Sequence, residues 1–231
     1  MKKTRAAPVT RPRQRLAPDE RKRQILHGAV QFFAKQGFAV QTRELTRHLG
    51  ISNGLLYRYF SSKKALIDKV YQEIFQERWN PKWEAQLVDR SVELLPRLER
   101  FYIEYAAMLH TFEWVRIYLH AGLAGASVNK RFGRSVAERV YRPIINELRH
   151  ENGRPGLAQN PASEAEMEMM WALHGSIFYI GIRKWVYHVD IPKDVNGAVV
   201  QLVHGLLANA ATLMASSHAD ASKSRKPANQ E

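Results

Sequence analysis

The sequence predicts an all-α protein, a small N-terminal three-helix unit followed by a larger helical domain. Three observations carry this reading. Apolar residues recur at spacings of three and four along most of the 231 residues, and no segment alternates as a half-buried strand does. The breaks between these segments are turn chemistry: AGLAGAS at 121–127, NGRPG at 152–156, Asn160-Pro161 and Ile191-Pro192. Hydrophobic residues make up 45% and charged residues 25%, the balance of a chain with a sizeable core.

Residues 1–18 carry three prolines, many charges and few large apolar side chains, and are expected to be a disordered basic arm. Ile25, Leu26, Ala29, Phe32 and Phe33 then mark one face of a helix, with Asp19 placed to cap it and Gly37 to stop it. Thr42 is the expected N-cap of a second helix that buries Leu45 and Leu49 and ends at Gly50. Ser52 is placed to cap a third, very short helix. Ser62 is placed to cap a fourth, with Leu66, Ile67, Val70, Tyr71 and Ile74 at helical spacing, and Pro81 interrupts the pattern after it. Longer helical segments follow at roughly 91–110, 112–123, 128–151, 162–188 and 193–215. Pro96 and Pro143 inside them each mark a kink or a boundary. The expected division is 1–18 arm, 19–66 first domain, 67–216 second domain and 217–231 disordered tail.

The net charge of +13 is unevenly placed. Residues 1–80 hold 17 Lys and Arg against 6 Asp and Glu, and residues 81–231 hold 18 against 16. Clustered cations favour a polyanion, because each phosphate neutralised releases counterions. Nucleic acid and an anionic membrane surface both satisfy that rule. There are no cysteines, which excludes disulfides and thiolate chemistry and suits a reducing, cytoplasmic setting. No apolar run approaches the ~20 residues that span a bilayer, and no apolar segment of a secretory signal follows the basic N-terminus.

The segment GISNGLLYRYF at 50–60 decides among polyanions. Thr42 to Phe60 reads as helix, tight turn, short helix, the helix-turn-helix arrangement. Leu45, Leu49, Ile51, Leu56 and Phe60 pack inward. Asn53, Gly54, Leu55, Tyr57, Arg58 and Tyr59 are left toward the outer face. Asn and Arg can pair with base edges, Tyr and Thr hydroxyls reach phosphates, and Gly54 permits close approach to a groove. A surface hairpin with solvated polar residues fits the same spacing.

Arg21 to Phe75 resembles the TetR family of transcriptional regulators. The resemblance rests on Thr42-Arg43-Glu44-Leu45, on Gly50 through Phe60, and on Ser62-Lys63, and it covers about a quarter of the chain. It implies phosphate contacts from Thr42, Tyr57 and Lys63, base-edge or close groove contacts from Arg43, Asn53, Leu55 and Arg58, and further backbone contacts from Ser52 and Tyr59. Where the family often has acidic residues, this chain has Lys64 and Ala65, so Ser62 lacks a capping-box partner. A cation at a helix start is unfavourable for the macrodipole, so Lys63 is expected to gain nothing locally and to need a phosphate. The basic arm of residues 2–23 either tracks the minor groove or is a solvated tail.

The second domain contains Trp83, Trp114, Trp171 and Trp185 and many other aromatics. They are either core or the walls of an effector pocket. The pocket candidates are Tyr105, Trp114, Arg116, Tyr118, Trp171 and Phe178. Arg116 either faces an acid inside or lies on the surface with its stem on aromatics. The 193–215 helix keeps an apolar stripe through Val199, Leu202, Val203, Leu206 and Ala210, and the 162–188 helix carries Gly175, Ser176 and Gly181. The resemblance implies that two such helices per subunit form a four-helix dimer interface; packing within the subunit is the alternative. None of the nine histidines has metal-site spacing, and His174 reads as a satisfied core histidine. No enzyme, cofactor or metal is expected.

The expected function is a homodimeric, cytoplasmic repressor on a palindromic double-stranded DNA operator, released by a small, largely apolar effector and independent of the membrane. The alternative is a non-specific architectural DNA-binding protein.

Overall fold

A computed structural model of the chain describes residues 17–223. The arm through residue 16 and the tail beyond 223 lie outside the described residues. Four helices open the fold: α1 (Pro18–Gln36), α2 (Thr42–Leu49), α3 (Asn53–Tyr59) and α4 (Lys63–Phe75). The larger unit adds α5 (Trp83–Leu87), α6 (Leu94–Leu109), α7 (Phe112–Leu123), α8 (Ser127–Val136), α9 (Arg142–Glu151), α10 (Glu164–Ile182) and α11 (Val195–Lys223). Single π turns occupy Ala137–Tyr141 and Arg183–Tyr187. The described residues contain no strand, as an all-α fold requires.

Local chemistry sets the boundaries, with two corrections. Pro18 takes the first position of α1, where its missing N–H costs nothing, and Asp19 sits in the first turn rather than at the cap. Gln41 is the N-cap of α2, and Thr42 is its first helical residue. Ser52 and Ser62 do cap α3 and α4, accepting from the Leu55 and Ala65 amides at 3.1 and 3.0 Å. Gly50, at φ 64° and ψ 32°, ends α2 in the left-handed region that favours glycine. α4 runs unbroken through position 66, so both units share it. α5 is too short to leave a periodic signal.

Pro96 marks a helix start, whereas Pro143 lies inside the continuous helical run 127–151, directly after its π turn. Pro96 lies in the first turn of α6, where no intrahelical donor is needed. Pro143 is the second residue of α9. The widened turn before it pairs the Arg142 amide with the Ala137 carbonyl five residues back. α11 continues to Lys223, past the expected start of the tail at 217. Extending a formed helix is far easier than nucleating one, so an alanine-rich polar stretch suffices.

Two buried ion pairs on α9 fasten the larger unit. Glu147, 2% exposed, accepts from Arg90 at 3.1 and 2.9 Å and from Arg97 at 2.9 Å. Arg97 also donates to the Leu87 carbonyl at 2.6 Å. Arg149 forks onto Glu166 at 2.8 and 2.7 Å and spends its remaining donors on the Pro155, Asn160 and Pro161 carbonyls. Glu166 also closes a capping box with Ser163 at the start of α10. Burial alone would raise the Glu147 carboxyl; the Arg90 and Arg97 hydrogen bonds outweigh it and hold it below its ordinary value. Its stabilising effect is therefore complete above the unfolded glutamate pKa of about 4.3 and is lost as pH falls through the folded value. Glu147→Gln should leave buried Arg97 without a counter-charge and destabilise the fold by about 3–5 kcal/mol. Urea denaturation at pH 7 measures this, and the difference from wild type should shrink in acid.

Candidate nucleic-acid interface

The turn between α2 and α3 is closed by two bonds. The Ile51 amide donates to the Thr46 carbonyl at 3.0 Å. The buried Thr46 hydroxyl donates to Asn53 Oδ1 at 2.7 Å, tying the first residue of α3 to α2. Asn53, expected at a base edge, thus spends its carbonyl on holding the motif together. Leu45, Leu56 and Phe60 are buried beneath, with Leu49 and Ile51 half-buried at the edge.

This packing leaves Arg43, Ser52, Asn53, Gly54, Tyr57 and Arg58 exposed, and Thr42, Leu55 and Tyr59 half-buried. Arg58 lies over the Tyr59 ring at 5.3 Å, and its guanidinium meets no carboxylate among the described residues. The Tyr57 and Thr42 hydroxyls approach to 3.5 Å across the mouth of the motif. Thr42 also opens α2, whose first amides lack intrahelical acceptors. Two hydroxyls and the free amides at the start of α2 thereby lie close together.

Lys63 departs from expectation. Its ammonium donates to the Phe38 carbonyl at 2.7 Å and to the Val40 carbonyl, pinning the α1–α2 turn to the start of α4. A local role exists, and at most one of its three N–H donors remains for a phosphate. Lys64 pairs with Asp68 at 2.8 Å on the exposed face of α4, an ion pair of little weight.

The motif is carried on the larger unit by α7. Arg116 donates to the Ala34 and Lys35 carbonyls at 3.0 and 3.3 Å, satisfying the C-terminus of α1. Among the expected pocket residues it is therefore misplaced: it faces α1 and not the interior. His120 adjoins Gly37, where a Cβ would stand 3.1 Å from its Nδ1. Burial and then Arg116 lower the His120 pKa, against the opposing Ala34 carbonyl. Phe75, the last residue of α4, packs edge-on against Trp114 at 5.4 Å and Tyr118 at 6.0 Å.

The other expected pocket residues do come together. Trp114 stacks on Tyr118 at 4.9 Å, and Phe178 meets both. His174 joins Phe178 to Tyr105 and Trp171. Tyr102, one of the second-domain aromatics expected as core or cavity wall, and Tyr141, which was not among them, belong to the same cluster. Their helical spacing marks them as core, and spacing does not say what a buried hydroxyl meets.

Residues 25–70 match the model for bacterial regulatory proteins of the tetR family. The likeness to that family in sequence is confined to this N-terminal segment. The chain is 42% identical over 50 residues to YerO, an uncharacterized HTH-type transcriptional regulator of Bacillus subtilis (strain 168). That match spans 21% of this chain and 17% of the relative. The whole fold is similar to a TetR-like transcriptional regulator from Rhodococcus sp. RHA1, with a TM-score of 0.58 at 20% identity over 84% of this chain and 97% of that one. It is similar also to Mycobacterium smegmatis AmtR, with a TM-score of 0.56 at 21% identity over 89% and 97%.

Lys63→Ala should release the α1–α2 turn and destabilise the helix-turn-helix domain by about 1.5–3 kcal/mol, the range for hydrogen bonds made by charged groups. Guanidinium denaturation measures it; an unchanged midpoint would mean that water serves the Phe38 and Val40 carbonyls equally well.

Proposed function

We propose that the protein is a homodimeric repressor that binds a palindromic operator through α3 and is released by a small, largely apolar effector held in the larger domain. The observation that carries the DNA reading is the outer face of α3, where Arg58 and Tyr57 stand exposed with no internal ion pair. Arg58 and Arg43 supply forks for base edges, and Leu55 and Gly54 allow close approach to the groove. Thr42, Ser52, Tyr57 and Tyr59 hold the phosphate backbone, and the Asn53 amide group and the spare Lys63 donor add to them. A purely architectural DNA-binding protein would need neither the aromatic interior of the larger domain nor the Arg116 link between the two units.

The dimer reading rests on the outer faces of α10 and α11. Val199, Val203, Leu206 and Ala210 are buried within the subunit, so most of the α11 stripe is internal. Gly181 likewise packs inside, where a Cβ would stand 2.9 Å from Val115. What remains outside is a shallow groove of about 280 Å³ lined by Ala172, Ser176, Leu202, Gly205 and Asn209 among others. Gly175 and Gly205 are exposed, with nothing within 4 Å of where a Cβ would stand. A face of small residues suits close approach of the same helices from a second subunit, which sets two α3 helices for half-sites ~34–36 Å apart. No helix among the described residues is long and apolar enough to cross a membrane, and the proposed setting is the cytoplasm.

Arg58→Ala should weaken operator binding by about 1–3 kcal/mol and relax preference at one base position per half-site. Selection from a randomised DNA library measures both, and uniform loss across sequences would make Arg58 a phosphate contact. Gly175→Glu with Gly205→Glu should give folded monomers, since replacing exposed helical glycine improves helix propensity by up to about 1 kcal/mol. Light scattering that still finds a dimer would move the interface elsewhere.

A further inference from the structure

The interior of the larger domain holds polar atoms that the protein itself does not satisfy. Tyr102 Oη, Tyr141 Oη and Trp114 Nε1 are buried without a protein hydrogen-bond partner, and all three side chains are fully enclosed. They belong to one ring-to-ring cluster. Tyr102 meets Tyr105 at 6.4 Å, Tyr105 meets His174 at 5.8 Å, and His174 meets Tyr141 at 6.1 Å. Trp114 joins through Phe178. The only polar contact within it is a long one, 3.4 Å between Tyr105 Oη and His174 Nδ1. Burying unsatisfied donors is costly, and an indole N–H can only donate.

The residues named carry no charged side chain; Glu104, Glu84 and Arg139 lie beyond them, on Trp83 and Trp79 at the far side of Tyr105. The buried ions of this unit, Arg97, Glu147, Arg149 and Glu166, are already paired with one another. Burial is the leading influence on the tyrosine hydroxyls, followed only by neighbouring tyrosines, and burial alone pushes the His174 pKa down to about 4. A charged ligand there would be desolvated with no counter-ion. One side is less closed. Trp171 is 36% exposed and lies edge-on to Tyr141 at 4.9 Å. Tyr141 ends the first π turn, a widened backbone that sets it against this cover.

We infer that the effector is an uncharged, flat, mostly apolar molecule bearing oxygen acceptors, admitted past Trp171 and held by the Tyr102 and Tyr141 hydroxyls and the Trp114 N–H. This deepens the ligand-responsive reading above and rests on it. Its aromatic body replaces ring contacts inside the cluster, and its oxygens take the donors the protein leaves open. The chemistry excludes quaternary ammonium ligands, which need the same aromatic faces but leave the donors unmet.

The test uses the full chain and three probes in equilibrium dialysis: flavone, whose oxygens only accept; 2-phenylnaphthalene, which has none; and the N-methylacridinium cation. Flavone should bind, and Tyr102→Phe and Tyr141→Phe should each weaken it about five- to tenfold, the loss of one hydrogen bond. Neither change should alter hydrocarbon binding, and the cation should not be retained. Both variants keep the ring, so they should melt at or above wild type. Absent flavone binding, flavone affinity unmoved by both variants, equal weakening of the hydrocarbon, or preferred binding of the cation would each overturn the inference. Operator titration separates it from the regulatory reading. Flavone that depends on both hydroxyls yet leaves DNA affinity unchanged would sink ligand response and keep the site. A compound that releases DNA but ignores both substitutions would do the reverse.

Discussion

The C-terminus of α1 rests on the side of α7, and the orientation of the DNA-facing unit depends on that contact. The last carbonyls of a helix have no internal donors and carry the negative end of its dipole. Arg116 answers both needs by donating to Ala34 and Lys35, while its guanidinium carbon lies 5.8 Å from the centre of the Phe112 ring. Gly37 then turns the chain beside His120 with φ at 76°, where a larger residue would meet both backbone strain and the imidazole. A lysine at 116 would supply the charge without the fork that spans two successive carbonyls.

A second link runs through α4. Its first residue, Lys63, holds the α1–α2 turn, and its last, Phe75, sits among Trp114, Tyr118 and Phe132. The same helix thus touches the DNA-facing motif at one end and the aromatic interior at the other. Anything that re-spaces Trp114 and Tyr118 acts on Phe75 directly. Contact alone does not make a switch, however. A ligand moves α4 only by as much as it prefers one arrangement of the rings over another, and a shift from 1:99 to 99:1 needs about 5.5 kcal/mol of such preference.

What could be read from the sequence was local. Ser52, Ser62, Gly37 and Gly50 were legible because a cap or a left-handed turn is decided within four residues. Asp19 lies two positions and Thr42 one position past the true caps, Ala17 and Gln41, neither of which makes a side-chain cap bond for the sequence to reveal. Arg116 and Lys63 were not legible. Their partners are backbone carbonyls 82 and 25 positions away, and a carbonyl has no letter in the sequence. The orphan hydroxyls of Tyr102 and Tyr141 were hidden for a related reason: periodicity reports that a ring is buried, and says nothing of its oxygen. Leu206 read as an interface residue because a stripe on α11 looks the same whether α6 or another subunit covers it.

The basicity of the first 80 residues also divides once side-chain partners are known. Lys63 is committed to two carbonyls and Lys64 to Asp68, so two of the cations nearest the motif are partly spent inside the fold. Arg43, Arg47 and Arg58 are exposed and form no ion pair among the described residues. Counterion release scales with phosphates neutralised rather than with formal charge, at about 0.9 in the salt slope for each. The slope for one subunit therefore follows from the cations left free to meet phosphates and not from the formal +11 of this region. Charge pointed to a polyanion of either kind; the bonding of each cation decides how strongly one can be held.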